Sequence, residues 1–101
     1  MTVLELDAGR WSTLEDFYEA LLAAVGAPDW HGRNPNALID SLVYGGINDV
    51  KPPYTVRIHG LEEASRVVSD HVRTVVGYLI EARGDYQDRH QEDCGAFFEI
   101  A

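Results

Sequence analysis

The sequence predicts an α/β fold: a three-stranded parallel sheet packed with three to four helices. Three observations carry this reading. Apolar residues recur at helical spacing over Leu14–Val25 and again over Val67–Arg83. Short runs rich in β-branched and aromatic residues stand at Val3–Leu6, Tyr54–Ile58 and Ala96–Ile100. The resulting order, β-α-α-β-α-β, favours right-handed crossovers between parallel strands, with helices covering them. Such strands are expected to have both faces largely covered. A chain of 101 residues reads as one domain, residues 1–101, large enough to bury a core without staples.

Each element has a local cause. Val3–Leu6 is the first strand. Thr13 with Asp16 three residues later resembles a capping box, with Ser12 and Glu15 as the alternative register. Leu14, Phe17, Tyr18, Leu21, Leu22 and Val25 form the apolar stripe of the helix that follows, and Gly26 and Pro28 end it. Asp29 to Arg33 is a loop containing Trp30 and Gly32, the glycine being expected in a turn that needs positive φ. Asn34-Pro35 is a helix start, a capping amide followed by proline at the first helical position. That helix is expected to run to about Tyr44 and stop at Gly45-Gly46. Ala37, Leu38, Ser41 and Leu42 then share its core side, Asn36, Asp40 and Val43 another side, and Ile39 the border. Pro52-Pro53 excludes regular structure before the strand at Tyr54. Val67–Arg83 is read as a long helix buried along Val68, Val72, Val75, Val76, Leu79 and Ile80, with a break capped by Ser69 or Asp70 as the alternative. Gly84 to Asp93 is polar and read as loop, and Ala96–Ile100 as the last strand. Leu21, Leu38, Leu42, Val56, Val72, Val76, Leu79 and Phe98 are expected in the core.

Seventeen acids against eight bases give a formal charge of −9. Such a chain is repelled by free nucleic acid and by anionic membranes, and it attracts a basic partner. Solubility alone is the plainer reason for an acidic surface. Cys94 is the one cysteine, so no internal disulfide forms, and a reducing, cytoplasmic location is expected. The first residues lack the basic-then-apolar order of a signal peptide, and no run has the apolar length of a membrane span. His31, His59, His71 and His90 are scattered. His90 and Cys94 stand four apart, but the paired four-ligand spacing of a zinc site is missing, so no metal and no cofactor are expected. Cys94 reads as a small buried hydrophobe. Asp40 and Glu81 would make an acid/base pair if they met across a cleft. No recognised catalytic motif supports that, and the chain is read as a non-enzyme.

Residues 28–42, Pro-Asp-Trp-His-Gly-Arg-Asn-Pro-Asn-Ala-Leu-Ile-Asp-Ser-Leu, resemble the signature segment of the barstar family. Pro28, Gly32, Asn34, Ala37, Leu38, Asp40 and Leu42 match it in order, and Leu79 to Arg83 is similar to the family's last helix. The resemblance implies a barstar-like fold and an intracellular inhibitor, an immunity protein, that plugs the active site of a basic ribonuclease or ribonuclease-like toxin. It assigns Trp30 to the aromatic packing against the nuclease's catalytic region. It assigns Asp40 to the acid occupying the phosphate position, and Glu81 to a peripheral acid meeting a basic residue. Asn36 stands where the family often has aspartate and Ile39 where it often has tryptophan. These two departures favour, as the alternative, a module of the same fold whose partner is not a nuclease. Segments 45–53 and 85–93 are longer than the family's versions.

Chemistry supports the same surface. A carboxylate offers two oxygens to an arginine fork and so stands in for phosphate, and a cleft that binds RNA must be cationic. Ordinary roles remain open for each residue: Asp40 as a solvated helix acid, Trp30 as a loop anchor, Asn34 as a cap only, and Glu81 as a surface acid near Arg83.

Overall fold

The computed structural model describes residues 2–101. Strands β1 (Thr2–Asp7), β2 (Tyr54–His59) and β3 (Ala96–Ile100) form one parallel sheet in the order β1-β2-β3. Helix α1 (Leu14–Val25) lies between β1 and α2, a single turn (Pro35–Leu38) that continues as a π-helix over Ile39–Val43. Helix α3 (Arg66–His90) connects β2 to β3 after a short 3₁₀ turn at Leu61–Glu63. The strands, the first two helix starts and the β-α-α-β-α-β order are those expected from the sequence. All eight residues expected in the core are buried.

The capping box of α1 forms in the Thr13–Asp16 register: Thr13 Oγ1 accepts from the Asp16 N–H at 3.2 Å while the Asp16 carboxylate accepts from the Thr13 N–H at 3.1 Å. The Ser12 N–H also donates to that carboxylate, and these backbone hydrogen bonds hold the Asp16 carboxyl below its ordinary range. Gly26 ends the helix in the left-handed region, φ 67°, where a Cβ would collide with Asp49. Segment 45–53 is not a free arm. Its Asp49 and Val50 N–H groups donate to the carbonyls of Gly26 and Val25, and Asn48 is buried.

Four expectations are corrected. First, α3 does not stop at Arg83 but continues through Gly84 to His90, so most of the segment read as loop is helical. Tyr86 packs on Tyr44 at 5.5 Å between ring centroids and stacks with His90 at 4.4 Å, while Arg83 pairs with Asp93 beyond the helix end. These tertiary ties outweigh the roughly 1 kcal/mol that an interior glycine costs a helix. There is no break at Ser69 or Asp70; Ser65 is the cap. Second, Ile80 is 49% exposed and not part of the buried stripe. Its place inside is taken by Ala82, which recurs at helical spacing from Leu79. Third, Val43 is buried rather than beside Asp40. The wider π turn, seen in Tyr44 N–H to Ile39 O (3.3 Å) and Gly45 N–H to Asp40 O (3.0 Å), rotates it into the core behind Leu42.

Fourth, the sheet is covered on one face only. Leu4, Leu6, Tyr54, Val56, Ile58, Ala96 and Phe98 point toward the helices, with α1 over β1 and α3 over β3. The other face carries Glu5, Arg57 and Glu99 in register across the three strands. Arg57 donates to both carboxylates, and His59 Nε2 donates to Glu5 at 2.8 Å. Phe97 on this face lies under the Arg83 guanidinium, 4.2 Å from the ring centroid. A charged, paired surface needs no second layer.

Tyr54 joins sheet to helix. Its buried hydroxyl donates to the Leu42 carbonyl at 2.9 Å, satisfying an acceptor at the end of the π turn. Burial, and secondarily the charge of Cys94, push the phenol well above its ordinary value. An unfolded tyrosine releases its proton near pH ~10 while the folded one keeps it. Stability is therefore expected to be intact below that pH and to fall as pH rises beyond it. Thermal melts of Tyr54→Phe against the parent check this: the variant should be less stable at neutral pH but should show a shallower alkaline decline.

Candidate partner-binding site

The site is built from the loop at residues 28–34 and the helical segment after it. Asn34 has extended backbone and its Oδ1 accepts from the Ala37 N–H at 2.9 Å, so Asn34 is the helix cap expected. Pro35 follows at the first helical position. Gly32 does not adopt positive φ, which corrects the turn expected there. Its glycine serves close packing instead: a Cβ would stand 3.0 Å from the Ala37 Cβ and 3.1 Å from Asn34 Nδ2.

His31 is buried. Its Nδ1 lies 2.7 Å from the Gly32 carbonyl and its Nε2 2.6 Å from Ser41 Oγ. The residues beside this buried pair face outward. Trp30 is 73% exposed, which rules out the role of buried loop anchor, and Asp40 is exposed as well. Trp30 and Asp40 line one small depression of about 160 Å³ with Gly32, Ala37 and Ile47. Asn36, Ile39 and Glu81 line a second, larger groove of about 640 Å³ with Tyr44, Tyr78 and Asp85. The α2–π segment stands between the two, presenting Asp40 to one and Asn36 and Ile39 to the other.

The five residues singled out from the sequence thus line two depressions, Trp30 and Asp40 the smaller and Asn36, Ile39 and Glu81 the larger. Asp40 and Glu81 line different depressions, an arrangement that does not make them an acid/base pair. Asp85 belongs to the larger groove beside Glu81, one helical turn on. Ile47, Tyr44 and Tyr78 are also part of these walls. Tyr78 was within reach of sequence reasoning, three positions before Glu81 on the same helix. Ile47 was not, because a loop residue carries no periodic signal.

Electrostatically the surface is acceptor-rich. Arg33, the base in the signature segment, is paired with Glu15 of α1. Among the described residues Asp40, Glu81 and Asp85 form no ion pair. Carboxylates in no ion pair among the described residues, an amide that both donates and accepts, and exposed aromatic rings are chemically able to receive a cationic group.

Residues 1–97 match the family model of barstar, the barnase inhibitor. The chain belongs to the barstar family. The match spans nearly the whole chain, in keeping with the three parallel strands and the helices packed on one side of them. Barstar proteins are inhibitors rather than enzymes. No curated protein matches this barstar-family chain. None of its described helices is long and apolar enough to cross a membrane.

Proposed function

We propose that this chain acts as one binding unit, residues 1–101, that inhibits a basic ribonuclease or ribonuclease-type toxin by occluding its active site inside the producing cell. The observation that carries the reading is the joint exposure of Trp30 and Asp40 around one depression, with the Asp40 carboxylate in no ion pair among the described residues. In the complex the Asp40 oxygens take the place of a substrate phosphate and accept from arginine or lysine in the cleft. Trp30 supplies a large, stiff apolar contact beside that charge. Asn36, Ile39 and Glu81 extend the contact along the larger groove. The formal charge of −9 steers encounter with a cationic enzyme.

RNA cleavage by purified barnase, followed while this chain is added, tests the reading. Activity is expected to vanish near one equivalent of chain. Undiminished cleavage at a large excess would remove barnase-type inhibition. Neutralising the outlying acid Asp88 with Asn should slow association at low salt and have little effect at high salt, where exposed charges are screened; stopped-flow mixing at two ionic strengths checks this.

A second reading is favoured by the composition of the larger groove. Asn36 and Ile39 make its near wall amide and apolar where an anionic surface would best suit a nuclease cleft. A barstar-fold module whose partner is not a nuclease fits that wall. Affinity capture with the chain as bait, followed by mass spectrometry, separates the two by the identity of what is retained.

A further inference from the structure

We propose that His31 and Ser41 form a positioning clasp that fixes Trp30 relative to Asp40, so that the binding surface is set before a partner arrives. The inference rests on the inhibitor reading for its functional consequence and on geometry for its existence. Both side chains are 5% exposed, and they meet at 2.6 Å between Nε2 and Oγ across a sequence separation of ten residues. Each is the immediate neighbour of an exposed candidate contact: His31 follows Trp30, and Ser41 follows Asp40. One buried hydrogen bond therefore ties the loop that carries the aromatic ring to the helical segment that carries the carboxylate.

The clasp is directional. The Gly32 carbonyl can only accept, so the 2.7 Å contact places the proton on His31 Nδ1. In the ring with its one proton on Nδ1, Nε2 accepts and the Ser41 hydroxyl donates to it. The ring is thus held at both nitrogens, and the backbone is held too, by His31 N–H to Pro28 O at 3.0 Å. Close packing of Gly32 on Ala37 brings the loop near enough for the bond to form. The depression between Trp30 and Asp40 has His31 in its wall, so the clasp lies directly beneath the surface it organises. Ordering a loop beforehand removes part of the entropy cost of binding. His31 and Ser41 are positioning residues: buried, they act through Trp30 and Asp40.

Backbone and Trp30 indole ¹⁵N relaxation of the full chain tests this, with the parent, Ser41→Ala and Ser41→Thr compared. In the parent, amides 29–33 are expected to be as rigid as the helices, with order parameters near 0.85, and in Ser41→Ala to fall toward about 0.6 or below. Amides of α1 and α3 should be unchanged, and Ser41→Thr, which keeps the hydroxyl, should restore the loop. Titration of barnase should show at least about tenfold weaker binding by Ser41→Ala, recovered in Ser41→Thr. His31→Gln should loosen the same loop, giving a second route if Ser41→Ala folds poorly. A loop that stays rigid in both His31→Gln and Ser41→Ala overturns the clasp. So does loosening spread evenly over α1 and α3, or a loosened loop with unchanged barnase affinity. If the parent fails to bind barnase, the barnase reading fails, and loop order alone decides whether the clasp exists.

Discussion

Leu38→Ala is expected to destabilise the chain by about 2–5 kcal/mol, the range for removing a fully buried leucine and leaving a cavity. Leu38 has no exposed surface and closes the single α-helical turn before the π segment. Its neighbours are poorly placed to collapse into the gap, because Asn34 caps the turn below and Tyr54 grips the Leu42 carbonyl above. Chains of this size are stable by only about 5–15 kcal/mol, so the loss is a large share of the whole. Urea unfolding checks it: the midpoint should fall while the slope stays that of the parent. A midpoint within error of the parent would mean that the central segment does not turn Leu38 inward. The stretch that carries Asp40 would then be misplaced too.

Asp40→Ala is expected to weaken binding to a barnase-type ribonuclease by at least about 2 kcal/mol, a general threshold for interface hot spots among whose documented examples is an aspartate of the barstar family itself. That corresponds to roughly thirtyfold in dissociation constant. The carboxylate has no ion-pair partner to lose among the described residues, so the folded chain should tolerate the change; the loss falls on the complex, where cationic groups of the cleft are left unpaired. Most of the change should therefore appear in the dissociation rate. Dissociation followed after mixing with excess competitor measures it. Asn36→Asp is expected to act in the opposite direction with barnase, adding a carboxylate to the adjacent wall. A natural partner that reads the amide would instead bind this variant less well.

Much of the fold was legible because local signals agreed with one another. The capping residues at Thr13 and Asn34, the proline at 35 and the glycines at 26 and 45 mark boundaries that the structure reproduces. The end of α3 was hidden because Gly84 and the polar residues after it look like a loop. What keeps them helical is Tyr86 on Tyr44, a contact between segments far apart in the chain. The π turn was hidden for a different reason. Nothing in Ile39–Val43 distinguishes i→i+5 from i→i+4 hydrogen bonding, and only packing chose between them. The open face of the sheet follows from cross-strand register: Glu5, Arg57 and Glu99 are ordinary polar residues until the three strands align them. In the same way the signature segment pointed to Trp30 and Asp40. It did not disclose that His31 is bonded to Ser41 beneath them, because neither residue has a helical or strand periodicity that points to the other.

A barnase-type ribonuclease is expected to dock on the surface formed by Trp30, Asn36, Ile39, Asp40 and Glu81. Amide and indole chemical-shift mapping of ¹⁵N-labelled chain titrated with unlabelled barnase tests it most directly. A one-to-one complex is expected, with the largest changes at Trp30, residues 36–40 and Glu81, and little change at Glu5, Arg57 and Glu99 on the open face of the sheet. Changes centred on that open face, or a spectrum unaltered at saturating barnase, would contradict it.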